Sequence, residues 1–499
     1  MVPESNQDPP AGSPGQPGSP RRLVLCFDGT GNKFHGSEVD TNIVKLYQML
    51  ERDKPGQFHY YQPGIGTYVK GQSRDTIFRI IPKIKSFIIT TLDQAVGTSF
   101  SSHVLSGYRF IMRYYQPGDY IYIFGFSRGA YTARFLAEML HDIGLLSKGN
   151  EEMVRFAWET FSNFQNAKGN TPDPDKPADK AAERATKKIN DLEQYMDSFK
   201  TTFCRPNVDV HFLGLFDCVN SVGQFEIPIW RTSFKNIACP AARHIRHAVS
   251  IHERRIKFKP ALFDLGDGSE MEGVDLKEVW FAGNHGDVGG GWGFQEPNQK
   301  HLLSDTPLNW MVQEVLHLPS PEGKVFFRTT NVKDIIKSEN AFPGKVEEGT
   351  NAFELRKKCS QPHDMLSFGH GVGWLTVILW WIIEILPIFT RLELEKGKWE
   401  VRYWPPNLGA PRDRPTNAVV HSSVQEMTKA KILDDSSIPD AGGDNSHLAN
   451  ASKILGALTR WRKKAAREED GQANGSSEKS SLSEKVTNGV KDAVSTLKP

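Results

Sequence analysis

The chain has 499 residues, 38% hydrophobic and 24% charged, a make-up that suits one large α/β domain with additions or two domains. Its 61 basic and 59 acidic side chains leave a formal charge of +2, too little to draw it to nucleic acid. The five cysteines, Cys26, Cys204, Cys218, Cys239 and Cys359, are scattered and odd in number, a pattern that predicts reduced thiols in an intracellular protein and argues against a zinc site or a disulfide framework.

Residues 1–20 are rich in Pro, Gly and Ser without an apolar run, so they predict a disordered leader rather than a secretory signal. The apolar run Leu23 to Phe27, closed by Asp28-Gly29-Thr30-Gly31-Asn32, reads as a buried strand and a glycine-rich turn. Further apolar runs follow at 121–124, 208–216 and 279–282, separated by helix-like stretches at 42–51 and 102–115. Buried strands alternating with helices predict a mostly parallel sheet covered on both faces, an α/β class within residues 21–330. Each of the four runs ends in Gly, Asp, Ser, Asn or His, and open parallel sheets bind ligands at the carboxyl ends of their strands. Residues 166–188 look like a mobile surface insertion; residues 331–433 form a C-terminal extension. From 434 to 499 the polar composition predicts disorder, with a short basic helix around 451–467.

The segment Gly125-Phe126-Ser127-Arg128-Gly129-Ala130 lies between a buried-type strand and a helix-like run, the strand, turn and helix that a nucleophile elbow requires. A serine hydroxyl needs a base to take its proton and an acid to hold that base. Downstream, Asp217 ends the run His211 to Phe216, and His285 follows a strand in a loop among five glycines, with no core to pack into. His244, His247 and His252 stand among arginines that would weaken them as bases. The oxyanion donors are expected from the amide of Arg128 and from Gly29 and Thr30, with Asp28 and Asp287 supporting their loops. Asp28 also suggests the aspartyl nucleophile of a D-x-D-G-T phosphatase, but Cys26 occupies the essential first position.

The set Phe27 to Asn32, Thr41-Asn42, Gly64 to Thr67, Gly125 to Tyr131, Phe216-Asp217, Glu253 to Arg255, His285 to Gly290 and Asp305 to Trp310 resembles the catalytic domain of the bacterial type VI secretion phospholipase effectors and their fungal relatives. The resemblance covers about residues 22–310. It implies an α/β-hydrolase fold, a triad of Ser127, Asp217 and His285, and hydrolysis of phospholipid acyl esters without metal or organic cofactor. The effector role is not part of what it implies.

Residues 371–390 are twenty mostly apolar positions with one charge, Glu384, and three tryptophans, Trp374, Trp380 and Trp381. By length they are a candidate span, but Glu384 and Pro387 weigh against one, and an interfacial or lid-like segment is the first expectation. The sequence therefore predicts a serine hydrolase of lipid esters, cytoplasmic or peripherally membrane-associated. Two other readings stand beside it: a catalytically silent membrane scaffold, and a metal-dependent phosphodiesterase built on Asp28, Asp217, His285 and Asp287.

Overall fold

The computed structural model describes residues 20–32, 34–64, 95–168, 180–219, 241–263, 275–295, 301–319, 324–328, 361–369, 372–385, 391–395, 398–402 and 406–442, with positions 297, 299 and 404. The leader up to position 19, the tail from 443 with the basic helix expected around 451–467, and positions 169–179 of the insertion lie outside the described residues.

The strands are β1 (Arg22–Phe27), β2 (Gln57–Gln62), β3 (Tyr120–Phe126), β4 (Leu145–Leu146), β5 (Cys204–Arg205), β6 (Val210–Phe216), β7 (Ala242–Ser250), β8 (Asp275–Phe281), β9 (Arg391–Glu395), β10 (Lys398–Arg402) and β11 (Val419–Val420). The helices are α1 (Asn42–Met49), α2 (Ala95–Tyr114), α3 (Arg128–Asp142), α4 (Val154–Lys168), α5 (Lys180–Phe203), α6 (His285–Gly289), α7 (Asp305–Leu316), α8 (Trp374–Ile385) and α9 (Ser422–Lys429). Seven strands form one sheet in the order β11-β8-β7-β6-β3-β1-β2, and each neighbouring pair is parallel. This is the expected α/β fold. The expected insertion differs: its described parts, 166–168 and 180–188, belong to α4 and α5.

Side chains alternate across the pleat, so each strand feeds two cores. Leu23, Leu25, Phe27, Ile121, Ile123, Leu213 and Leu215 pack against α2, α3 and α4. Val24, Cys26, Tyr122, Phe124, Phe212 and Phe216 pack on the other face against α1 and α7. One irregularity sits between β3 and β6, where Ile121 pairs Val210 while Tyr122 pairs Phe212. The extra residue, His211, flips the register, which puts Val210 in the same core as Leu213.

β2 and β7 were not signalled by apolar runs. β7 reads Ala-Arg-His-Ile-Arg-His-Ala-Val-Ser, and its charges are satisfied across the sheet. Arg246 meets Asp275 at 2.8 Å and Glu314 at 2.5 Å, and His247 meets Glu278 at 2.7 Å. Such pairing lets polar residues occupy a central strand that composition alone assigns to the surface.

The apolar stretch 371–390 contributes α8, a twelve-residue helix; positions 386–390 lie outside the described residues. Among the described residues no helix is long and apolar enough to cross a membrane. Glu384 is fully buried and accepts hydrogen bonds from the Ile256 amide at 2.7 Å, Asn407 Nδ2 at 2.5 Å and the Gly409 amide at 3.3 Å. Desolvation raises its pKa above the ordinary carboxylate range. One face of α8 thus closes over the protein, with Trp380 and Trp381 buried, while Trp374, Leu375, Ile382 and Ile385 stand exposed.

Candidate active site

Ser127 sits between β3 and α3 with φ 59° and ψ −125°, a left-handed backbone that a non-glycine residue adopts only under constraint. The flanking glycines allow the turn by close approach. A Cβ on Gly125 would lie 2.5 Å from the Ala130 Cα, and one on Gly129 would lie 2.4 Å from the carbonyl oxygens of Phe27 and Asp28. The second contact brings the turn after β1 against the start of α3.

Asp217, also at positive φ, ends β6, and His285 begins α6 just after β8. The structure brings the three together. His285 Nε2 lies 2.7 Å from Ser127 Oγ, and His285 Nδ1 lies 2.6 Å from Asp217 Oδ2. All three are buried. Phe126 and Phe258 flank the imidazole, with ring centroids 4.7 and 4.6 Å away, and Trp380 of α8 packs on Phe258 at 5.7 Å. Burial lowers the His285 pKa more than Asp217 raises it, so the imidazole is neutral at pH 7 and able to accept a proton.

Asp217 holds more than the histidine. Its carboxylate accepts from the Ser250 amide at 2.8 Å and from both terminal nitrogens of Arg412, at 2.6 and 2.9 Å. Arg412 also donates to the carbonyl of Ser250 at 2.9 Å and to that of Phe258. Burial alone would raise the Asp217 pKa, but Arg412 and the hydrogen bond to His285 outweigh it and hold the carboxyl well below its usual range. Glu253 takes the His285 amide at 3.3 Å and pairs with Arg255 at 2.6 Å. Neither Arg412 nor Glu253 was singled out as a functional residue in the sequence.

The His285 loop is fixed on several sides. Asn284 caps α6 by accepting from the Gly286 and Asp287 amides, and Asp287 returns the bond to the Asn284 amide at 2.9 Å. Asp287 also accepts from the His363 amide and ring, so it supports this loop rather than touching Ser127. Asn42 donates to the carbonyls of Val288 and Ser304 at 2.9 and 2.8 Å, which ties the Thr41-Asn42 pair to the same loop.

The turn after β1 departs from one expectation. The Gly29 amide donates to Asp28 Oδ1 at 2.7 Å, so it is engaged and unavailable to an oxyanion. Asp28 further accepts from Thr41 Oγ1 at 2.9 Å and Tyr61 at 2.8 Å, and burial pushes its pKa up to about 6. Thr30 follows with a buried hydroxyl that has no hydrogen-bond partner among the described residues. Its Oγ and the amide of Arg128, the first residue of α3, remain as candidate donors.

The competing histidines are committed elsewhere. His244 and His247 face Asp275 and Glu278, and His252 accepts from the Gly283 amide at 2.8 Å. Among the described residues no group of three or more His, Cys, Asp or Glu is gathered to hold a metal ion. Cys26, Cys204 and Cys218 are free thiols.

Residues 21–314 match the family described as the catalytic domain of Tle1-like phospholipase effectors of the type VI secretion system. The chain is 27% identical to the uncharacterized protein YEL023C of Saccharomyces cerevisiae, over 81% of this chain and 78% of that one. Among solved structures, it is similar to the Tle1 effector bound to the VgrG spike, with 19% identity, a TM-score of 0.28, and coverage of 57% of this chain and 53% of that one. A second, an uncharacterized protein from Pseudomonas aeruginosa, gives 15% identity and a TM-score of 0.30 over 96% of this chain and 63% of that one. The chain thus spans about half to three fifths of the length of these solved structures.

Proposed function

The chain belongs to the Tle1-like phospholipase effector catalytic family, and on that premise we propose that it is a serine hydrolase of lipid esters, working through an acyl-enzyme on a phospholipid-like substrate. The observation that carries the reading is the continuous hydrogen-bonded chain from Ser127 through His285 to Asp217 on a constrained elbow. Ser127 Oγ attacks the ester carbonyl as its proton passes to His285 Nε2. Asp217 keeps the Nδ1 proton in place and stabilises the imidazolium. The Arg128 amide, at the positive end of α3, and Thr30 face the developing oxyanion. His285 then protonates the leaving alcohol. Water, deprotonated by the same nitrogen, releases the fatty acid and restores Ser127.

A lipase must reach a substrate held in an aggregate, and α8 offers a surface for it. Trp374, Leu375, Ile382 and Ile385 recur at helical spacing on its exposed side, while Trp380 on its buried side packs on the Phe258 ring beside His285. In this reading the exposed face rests in the headgroup boundary of a bilayer, where an indole buries its ring and keeps its N–H wet. The protein is then peripheral to the membrane.

The test is labelling of the full chain with a fluorophosphonate serine probe, with and without phospholipid vesicles. Labelling that is lost in Ser127→Ala and His285→Ala, and that rises with vesicles, is the expected result. A folded wild-type protein that takes no label under either condition would overturn the reading.

A further inference from the structure

β7 and β8 run side by side, and their continuations stay paired past the sheet: the Ile251 amide donates to the Phe281 carbonyl at 3.0 Å, and the His252 amide to the Gly283 carbonyl at 3.0 Å. At the next step a side chain takes over, and the His285 amide donates to Glu253 Oε2 at 3.3 Å. His285 is the first residue of α6, so its amide has no acceptor within its own helix. Glu253 is in turn gripped by Arg255, whose backbone amide and Nε each donate to Oε1 at 2.9 Å and whose terminal nitrogen donates to Oε2 at 2.6 Å. The guanidinium lies 3.7 Å from the centre of the Phe258 ring and 4.7 Å from that of Trp380, and Phe258 meets the His285 imidazole edge-on. Glu253 and Arg255 are both buried, so water screens neither charge well.

We propose that Glu253 and Arg255 act as one positioning pair for His285, the carboxylate fixing its backbone and the guanidinium, through Phe258, its ring. The inference deepens the hydrolase reading and rests on it for the role of His285 as base. The two charges bear on the imidazole in opposite senses: Glu253 favours the imidazolium and Arg255 disfavours it. Joined, they hold the ring with little net bias; either one alone would be a lone buried charge beside it. Burial would raise the Glu253 pKa, but Arg255 outweighs it and holds the carboxyl well below its usual range, so the pair is ionised wherever His285 titrates. Other charged groups surround the histidine and its neighbours. Asp217, with Arg412 behind it, holds Nδ1, and Asp287, with His363 on it, braces the loop. Arg128 adjoins Ser127, Lys257 adjoins Phe258 and is pushed down to about 7 by burial and by Arg128, and α8 brings Glu384 to the Ile256 amide. All of these are common to the variants compared, so a difference between variants belongs to the pair.

Two readouts on the full chain test this. One is an NMR titration of the His285 imidazole with isotope-labelled histidine, its signal assigned as the one lost in His285→Gln. The other is the rate of fluorophosphonate labelling across pH. Glu253→Gln is expected to lower the imidazole midpoint and Arg255→Met to raise it, each by about one unit. The double variant Glu253→Gln with Arg255→Met should return the midpoint close to that of the wild type, yet label about tenfold more slowly or worse at its pH plateau, because the charges balance while the hold is gone. Arg255→Lys should restore the midpoint and only part of the rate. A midpoint that stays put or moves the same way in both single variants would overturn the pair, as would a double variant that labels as fast as the wild type. Where a single variant does not fold, judged by near-UV circular dichroism, the double variant decides, since it leaves no lone buried charge. A folded wild type that takes no label overturns the hydrolase reading, and the titration alone then decides whether the pair governs His285.

Discussion

Two regions converge on Ser127, and they reach it by different means. From β1 to α7 the site is built of strand ends: Ser127 after β3, Asp217 after β6, His285 after β8, each at a turn shaped by glycine or by a positive φ. From 361 to 442 it is built of long-range polar contacts: Arg412 on Asp217, His363 on Asp287, and Asn407 and Gly409 on Glu384 of α8. The first region holds the atoms proposed to react. The second holds groups that pair with Asp217, with Asp287 and with Glu384, polar groups mostly removed from water, whose value depends on their partners.

The largest effect should come from the first region. Ser127→Ala or His285→Ala is expected to lower kcat by about 10⁴-fold or more on phospholipid vesicles, with the fold kept. The lowered His285 pKa places the acid limb of kcat/KM below about 6.5, the ordinary imidazole value. An acid limb above it would mean that a different base is at work.

Next comes Arg412→Met, which would bring the two regions closest to equal. It leaves Asp217 as a buried carboxylate without its cation, and breaking such a pair costs about 3–5 kcal/mol. Urea unfolding should show that loss, and kcat should fall with it while Arg412→Lys recovers part of both. A stability unchanged in Arg412→Met would remove the second region from the account.

A smaller effect tests the turn after β1. Asp28 has its folded-state pKa raised from 3.8 to about 6, so the native state binds a proton more tightly than the unfolded chain. Stability from this group is therefore greatest at low pH and declines as pH rises from about 4 to about 6, by about 3 kcal/mol on linkage. Asp28→Asn should flatten that decline in unfolding curves taken across the range. The smallest effect belongs to the exposed side of α8: Leu375→Ser with Ile382→Ser should change stability by within about 0.5 kcal/mol each. Their cleavage of vesicles should nonetheless fall relative to a soluble ester; equal loss on both substrates would argue against a lipid-facing surface.

What the sequence made legible follows the same division. Ser127 and His285 stand out because glycine neighbours mark turns that only a few backbones allow, and Asp217 because it closes an apolar strand. Gly29 is expected as a donor, and nothing in the order of residues shows that Asp28 turns its carboxylate back onto the Gly29 amide. β7 escaped notice because its His and Arg side chains are balanced by carboxylates on β8 and α7. The same holds for α8, where Glu384 weighs against a membrane span in the sequence but its partners, Ile256, Asn407 and Gly409, lie on remote segments. Arg412 lies in Ala410-Pro-Arg-Asp-Arg-Pro415, which has the look of an ordinary polar loop. Pairings between remote residues leave no local pattern.

Arg412 stands 195 positions after Asp217 and well past residue 314, where the family match ends. The stretch that the family match covers therefore leaves out a side chain that pairs with Asp217. A fragment stopping at 314 would retain every atom proposed to react and lose the buried cation that pairs with Asp217, so that it is a poor stand-in for the whole chain in any assay.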